Sequence, residues 1–373
     1  MTSSAPGPLT AFAFRAAAHT DVGLLRESNE DTILLGDLDR AELSAPADGA
    51  AQLDGAGARG PLMLVCDGMG GVAGGEVASD LAARVTWREL AASPGSLDAE
   101  VFARLLRRAV RIANGEVHAV GKRDPGLRGM GTTLTAAAVV GTRLVVANVG
   151  DSRAYVLRGD RLVQVSRDQS LASALAAAGH PQGAVDRSGA ILQALGVASD
   201  CEPSLSLIDL RRADRILLCS DGLYNLLGEG TIGTIAADPR GPAPATRLLV
   251  DAARAAGGSD NISVVLLEVD GERFPESAGE DDLPRFREFD PQQEGDPALT
   301  STSQVQRRLA ARVGLAANAK EMAIPVTGQH LMVRRPPRAA PAARAAEAPP
   351  PRRLWPYLAA LVIALIVLGL ALR

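Results

Sequence analysis

Five acidic sites, scattered over most of the chain, share one design: a carboxylate at the end of an apolar run or in a tight turn, usually beside Gly or Asn. They are Arg26-Glu-Ser-Asn-Glu30-Asp31, Val65-Cys-Asp67-Gly68-Met69-Gly-Gly71, Asn148-Val-Gly-Asp151-Ser-Arg153, Leu218-Cys-Ser-Asp221-Gly222 and Ser259-Asp260-Asn261. Widely separated carboxylates suit a hard divalent cation. Mg²⁺ and Mn²⁺ take oxygen ligands, and no single helix or loop supplies enough of them. The chemistry indicated is metal-dependent hydrolysis.

Asp67 is the best candidate for a bridging ligand: a buried strand delivers it, and Gly68 lets the backbone approach a cation. An Asp-Gly pair alone is among the commonest turn dipeptides. A second buried run ending in Asp221-Gly222, and Asp260-Asn261 directly before another apolar run, make three chance turns a poor explanation. Two ions about 3.5–4 Å apart sharing Asp67 would activate a water and neutralise phosphate oxygens. Such a site needs no Ser, Cys or His nucleophile, and His19, His118, His180 and His330 fall in no paired spacing. Arg26, five residues ahead of Asp31, has the fork geometry for a bidentate grip on phosphate.

The elements that must position these groups are short. Strand-like runs lie at 12–18, 32–35, 61–66, 132–140, 143–148, 153–157, 161–165, 205–209, 215–219 and 262–269. Turn signals join many of them, which favours antiparallel meanders. Helical patterns at 75–90, 98–120, 170–178, 231–237 and 244–256 come as an early pair and a late pair, with 170–178 between them. Strands outnumber helices, so an α+β architecture fits better than alternating βαβ units. Runs 62–66 and 216–219 read as fully buried strands, with Asp67 and Asp221 emerging at sheet ends.

The chain of 373 residues is 47% hydrophobic, enough for a full core with appendages. A formal charge of −4 argues against a nucleic-acid surface. Cys66, Cys201 and Cys219 form no CxxC and no even framework, so they read as small buried side chains rather than disulfides. Residues 10–270 read as the folded domain. Residues 271–353 lose apolar runs and accumulate Pro, Glu, Arg and Ala, as a disordered or extended tether does. Residues 354–372 carry no charge and, as a helix, would span about 28 Å, enough for a bilayer core. Arg334, Arg335, Arg338, Arg344, Arg352 and Arg353 precede that segment and only Arg373 follows, which keeps the large N-terminal part in the cytoplasm. The expectation is a single-pass protein of the inner membrane. No signal peptide is evident before Arg15.

Taken in order, Thr20-Asp-Val-Gly-Leu-Leu-Arg26…Asn29-Glu30-Asp31, Val65-Cys-Asp67-Gly-Met-Gly-Gly71, Gly131-Thr-Thr-Leu-Thr135, Asn148-Val-Gly-Asp151-Ser-Arg153, Leu218-Cys-Ser-Asp221-Gly222-Leu and Asp260-Asn261-Ile resemble the PP2C (PPM) family of metal-dependent protein serine/threonine phosphatases, in its bacterial branch. The resemblance covers roughly residues 12–269. It implies two antiparallel sheets packed as a sandwich, with helices on both outer faces (α-β-β-α), and two Mn²⁺ or Mg²⁺ ions, with a third in some members. Asp67 would bridge the two ions and the Gly68 carbonyl would complete one sphere. Asp221 and Asp260 would hold the other ion, while Glu30 and Asp31 would contact ions or their waters. Asp151 with Asp221 would hold the third, and Arg26 would bind the substrate phosphate. The implied reaction is attack of a metal-bridged water on phosphoserine or phosphothreonine, without a phosphoenzyme. Its implied partners are phosphorylated proteins and a serine/threonine kinase.

Two positions depart from common patterns. Met69 stands where many eukaryotic members have a His general acid, and a thioether cannot donate that proton. Asp168-Gln169-Ser170 replaces Asp-His-Ser, ahead of a variable flap that runs to about Asp200. A phosphoprotein-binding scaffold without catalysis would be marked by lost metal carboxylates, and all of them are present. A hydrolase of small phosphoesters would share the same chemistry.

Overall fold

Alternation of side chains along the apolar runs decides the layering. In strand β5 (Arg59–Met69), Leu62, Leu64 and Cys66 enter one buried cluster while Met63 and Val65 enter another. A period of two sends neighbours to opposite faces, so a run apolar at every position must be covered on both sides. The computed structural model describes residues 12–290 apart from 47–48, 58, 71–73, 94, 96–97, 178–189 and 280, together with residues 333–334.

The other strands are β1 (Phe12–Asp21), β2 (Asp31–Asp37), β3 (Glu42–Ser44), β4 (Gly49–Gly57), β6 (Gly131–Thr132), β7 (Leu134–Val140), β8 (Arg143–Val149), β9 (Arg153–Arg158), β10 (Arg161–Gln164), β11 (Ala190–Ile191), β12 (Ser204–Asp209), β13 (Arg215–Cys219), β14 (Ile262–Asp270) and β15 (Phe286–Glu288). One sheet runs β10-β9-β13-β14-β1-β4 and the other β15-β12-β8-β7-β5-β2-β3, with β6 paired to β5. Their pairings are antiparallel. Phe14, Ile33, Val65, Val146, Leu218 and Val265 are among the side chains that fill the space between the sheets.

The helices are α1 (Gly74–Ala91), α2 (Ala99–Arg123), α3 (Leu171–Ala177), α4 (Asp221–Tyr224), α5 (Glu229–Ala236) and α6 (Pro242–Ala255). In α2, Phe102, Leu106, Val110, Ala113 and Val117 recur every three or four residues and are buried, which gives the helix one apolar stripe. Asp98 caps it, accepting from the N–H groups of Glu100 (2.8 Å) and Val101 (3.1 Å). Such a cap contributes about 1 kcal/mol. Helices α1 and α2 share a core with β5 and β7, while α5 and α6 share one with β13 and β14. The order of layers is α-β-β-α.

Several elements differ from expectation, two of them in the sheets' outer parts. Residues 49–57, rich in Ala and Gly, form an edge strand against β1. A Cβ at Gly55 would lie 2.6 Å from the Phe14 ring, so the missing side chain is what lets the strand close over that ring. Packed structure also continues past 270: Phe274 is buried edge-on to Phe12, and β15 extends the second sheet through β12. Among the described residues no helix is long and apolar enough to cross a membrane, and the expected span at 354–372 lies outside them.

Candidate active site

Strand β5 does not stop at Cys66. It runs on to Met69, leaving β7 at Val65 and taking β6 as partner from Gly68. Asp67 therefore sits inside a strand, directly opposite Asp31, the first residue of β2. Opposed residues in an antiparallel pair hold their Cβ atoms about 4.5–5.5 Å apart. Both carboxylates are buried. Burial and the charge of Asp67 push the Asp31 carboxyl well above the usual carboxylate range, with a smaller push from Asp260.

The remaining acids arrive from the ends of other strands. Ser220, between β13 and α4, donates its hydroxyl to Asp31 Oδ2 at 2.7 Å. Asp221 follows as the first residue of α4, and Asn225 donates to its Oδ2 at 2.9 Å. Asp260 precedes β14, and Arg26 reaches its carboxylate at 2.9 and 3.1 Å. Asn261 accepts the Glu30 N–H at 2.9 Å. One web of bonds thus links the Arg26–Asp31, Asp67, Asp221 and Asp260 segments.

Gly68 shows why the chain has no side chain there. A Cβ would fall 2.2 Å from the Gly75 carbonyl oxygen and 2.5 Å from that of Glu30. The Gly68 N–H donates to Glu30 O at 3.1 Å, so the two segments touch through bare backbone. At Gly222 a Cβ would meet Asn261 O at 1.9 Å. The loops bearing Asp221 and Asp260 are equally close.

Asp151 lies in the turn between β8 and β9. It joins the others through hydroxyls: Thr133 Oγ1 accepts the Asp67 N–H at 2.9 Å and shares a 2.8 Å bond with Ser152 Oγ. Tyr224 donates its hydroxyl to the Asp151 carbonyl at 2.8 Å. Arg153 lies over the Tyr224 ring at 3.8 Å and pairs with Asp168 at 2.8 Å. The flap side is tied in by Gln169, whose N–H donates to Gly150 O at 2.7 Å while its Oε1 accepts from Gly150 N at 3.2 Å and Gln193 Nε2 at 3.0 Å. Met69 is buried against Ile191 and Ala194, an apolar contact with no proton to offer.

The structure thus places Asp31, Asp67, Asp221 and Asp260 in one bonded cluster with Glu30, Gly68 and Arg26. Asp151 is joined to it through Thr133 and Ser152. Sequence reasoning missed Ser220, Asn225, Thr133, Tyr224 and Asn261 as partners. Two of these sit beside a predicted acid, and that adjacency was the available signal. Cys66 and Cys219 border the cluster, but burial pushes both thiols upward, away from reactive thiolates.

Among the described residues no three His, Cys, Asp or Glu side chains close on a single point as a ready-made cage. The donor set still fits a hard cation: buried carboxylates set against one another, backbone carbonyls brought close by Gly68, and no sulfur or imidazole among the assembled donors. Mg²⁺-type ions keep several waters and use few protein ligands.

The family profile for protein phosphatase 2C matches residues 44–243. The serine/threonine phosphatase stp of Listeria innocua is 36% identical over 220 residues, covering 56% of this chain and 84% of its own. The serine/threonine protein phosphatase PstP of Mycobacterium tuberculosis is 36% identical over 264 residues, covering 68% of this chain and 45% of its own. Among solved structures, the catalytic domain of PstP in complex with two manganese ions matches 70% of this chain and 100% of its own, at 33% identity and a TM-score of 0.57. Stp1 from Staphylococcus aureus matches 69% of this chain and 95% of its own, at 25% identity and a TM-score of 0.59. This chain belongs to the PP2C (PPM) family of metal-dependent phosphatases. It is a serine/threonine phosphatase, and its cofactor is Mn²⁺ or Mg²⁺.

Proposed function

We propose that this phosphatase works from the inner face of a membrane, releasing phosphate from phosphoserine and phosphothreonine in proteins that a serine/threonine kinase has modified. Asp67, the Gly68 carbonyl, Asp221 and Asp260 would hold two ions, with Asp67 common to both; Glu30 and Asp31 would hold ions or their waters, and Asp151 with Asp221 would hold a third. The bound ions supply Lewis-acid activation of water and neutralise charge on the phosphate oxygens.

The chain's own groups do the rest. Arg26, held at the Asp260 carboxylate, presents a guanidinium to the substrate phosphate. Thr133 and Thr132 fix Asp67 by its backbone, at 2.9 and 3.1 Å. Met69, buried against Ile191 and Ala194, has no proton to donate, so the leaving alkoxide takes its proton from water or another group. The observation that carries the proposal is Asp31 facing Asp67 across β2 and β5, with Ser220 tying in the Asp221 segment.

Membrane attachment rests on residues 354–372 and the arginines before them. The domain limits, 10–270 for catalysis and 271–353 for the tether, rest on composition, with the packed strand β15 lying inside the tether's nominal start. The test is turnover of a phosphothreonine peptide with Mn²⁺. Activity should be abolished by EDTA and reduced at least ~10²-fold in Asp67→Ala and Asp221→Ala. Wild-type rates in both variants would reject the site.

A further inference from the structure

The segment that carries Arg26 is held more firmly than a phosphate contact alone requires. Asn261, almost wholly buried, donates Nδ2 to the carbonyls of Val22 and Ser28, both at 3.0 Å, and accepts from Glu30 N at 2.9 Å. One side chain thus grips both ends of a nine-residue loop, and Ser28 within it. Leu24 N donates to Gly258 O at 2.7 Å, Gly23 N to Asp21 Oδ1 at 2.8 Å, and Asn29 Nδ2 to Thr20 Oγ1 at 2.9 Å. Gly23 has φ of +80°, and a Cβ there would meet Asp260 O at 2.2 Å.

This fixed loop shows apolar surface to solvent. Leu24 is 54% exposed and Leu25 62%, the highest values among the large apolar side chains described, and the two are consecutive. Single exposed leucines need no explanation, whereas a contiguous pair beside a binding group does. Leu25 adjoins Arg26, so its Cα lies about 3.8 Å from that of the phosphate ligand. A peptide whose phosphate reaches Arg26 brings its neighbouring residues close to this pair. The loop is ordered beforehand, so the contact costs little entropy on binding.

We propose that the Val22–Glu30 loop selects substrate: Leu24 and Leu25 contact an apolar side chain adjoining the phosphorylated residue. The favoured substrates are phosphoserine or phosphothreonine segments flanked by Leu, Ile, Met or Phe. This rests on the assignment of Arg26 to the phosphate.

The experiment uses the full chain in mild detergent with Mn²⁺ and two phosphothreonine peptides, identical except for Leu or Ser on both sides of the phosphothreonine. Wild type should favour the Leu peptide by about fivefold or more in kcat/KM, within the range one apolar contact provides. In the Leu24→Ser/Leu25→Ser variant that preference should fall to about unity. Its loss on the Leu peptide should exceed any loss on p-nitrophenyl phosphate, which has no flanking residue. Equal use of both peptides by wild type, or a preference retained in the variant, overturns the proposal. So does concentration-dependent self-association of wild type that the variant loses, since the leucines would then be covered by a second copy. Arg26→Ala is the separate control. An unchanged KM on all three substrates would refute the phosphate assignment, whatever the peptide preference.

Discussion

Asp31 and Asp67 face one another across the β2–β5 ladder, and both are buried. Burial first, and then the charge of Asp67, push the Asp31 carboxyl well above the usual carboxylate range. Burying two facing acids therefore costs stability, and a divalent cation relieves that cost. Ser220 offsets only part of that cost with one hydrogen bond.

Removal of metal should cost stability as well as activity. In EDTA, Asp31→Asn should melt higher than wild type, worth about 1–2 kcal/mol, because the amide ends the repulsion yet can still accept from Ser220. With saturating Mn²⁺ the order should reverse, since only wild type gains fully from binding. Calorimetric melts of both proteins in EDTA and in Mn²⁺ check this; a variant that melts below wild type in both contradicts it.

Backbone closeness at Gly68 makes a sharp steric prediction. Gly68→Ala would force a methyl to within 2.2 Å of the Gly75 carbonyl oxygen, so α1 or the Glu30 segment must move. A loss of about 1–3 kcal/mol is expected, together with a fall of at least tenfold in kcat on p-nitrophenyl phosphate. Chemical denaturation and steady-state rates measure both.

Much of this site was legible because Asp67 and Asp221 end apolar runs and Asp260 precedes one, and a run such as Leu62–Cys66, short and flanked by Gly60 and Gly68, reads as a strand covered on both faces. The extension of β5 through Asp67 was not legible. It depends on β6, whose two residues pair with Gly68 and Met69 only once the sheet exists. Strand β4 was hidden for a related reason: Ala and Gly are poor strand formers, and Gly55 earns its place through the Phe14 ring across the sheet. Asn261 was visible as a motif residue, but its grip on Val22, Ser28 and Glu30 joins segments more than 230 positions apart. No local pattern encodes that.

Glu288, in edge strand β15, gives a pH dependence away from the cluster. Burial raises its carboxyl from 4.5 to about 7, and Arg167 at 3.6 Å only partly opposes this. The folded state holds the proton more tightly than the unfolded one, so stability falls as pH rises from about 4.5 through about 7 and is flat above. Glu288→Gln should flatten that slope and melt higher at neutral pH. A wild-type slope identical to the variant's, followed by thermal melts across this range, would show that Glu288 is charged throughout.

Residues 354–373 should decide location and not chemistry. Their removal is expected to move the protein from the membrane fraction to the soluble one with rates on p-nitrophenyl phosphate unchanged. Fractionation of cells expressing each form reads this directly, and equal partitioning would refute the anchor.

The most direct test of the central claim is the anomalous difference density of Mn²⁺ in crystals of this protein. Two peaks sharing Asp67 are expected, one also contacted by Asp221 and Asp260 and the other by the Gly68 carbonyl. Density elsewhere, or Asp67 left uncontacted while Mn²⁺ supports turnover, would contradict it.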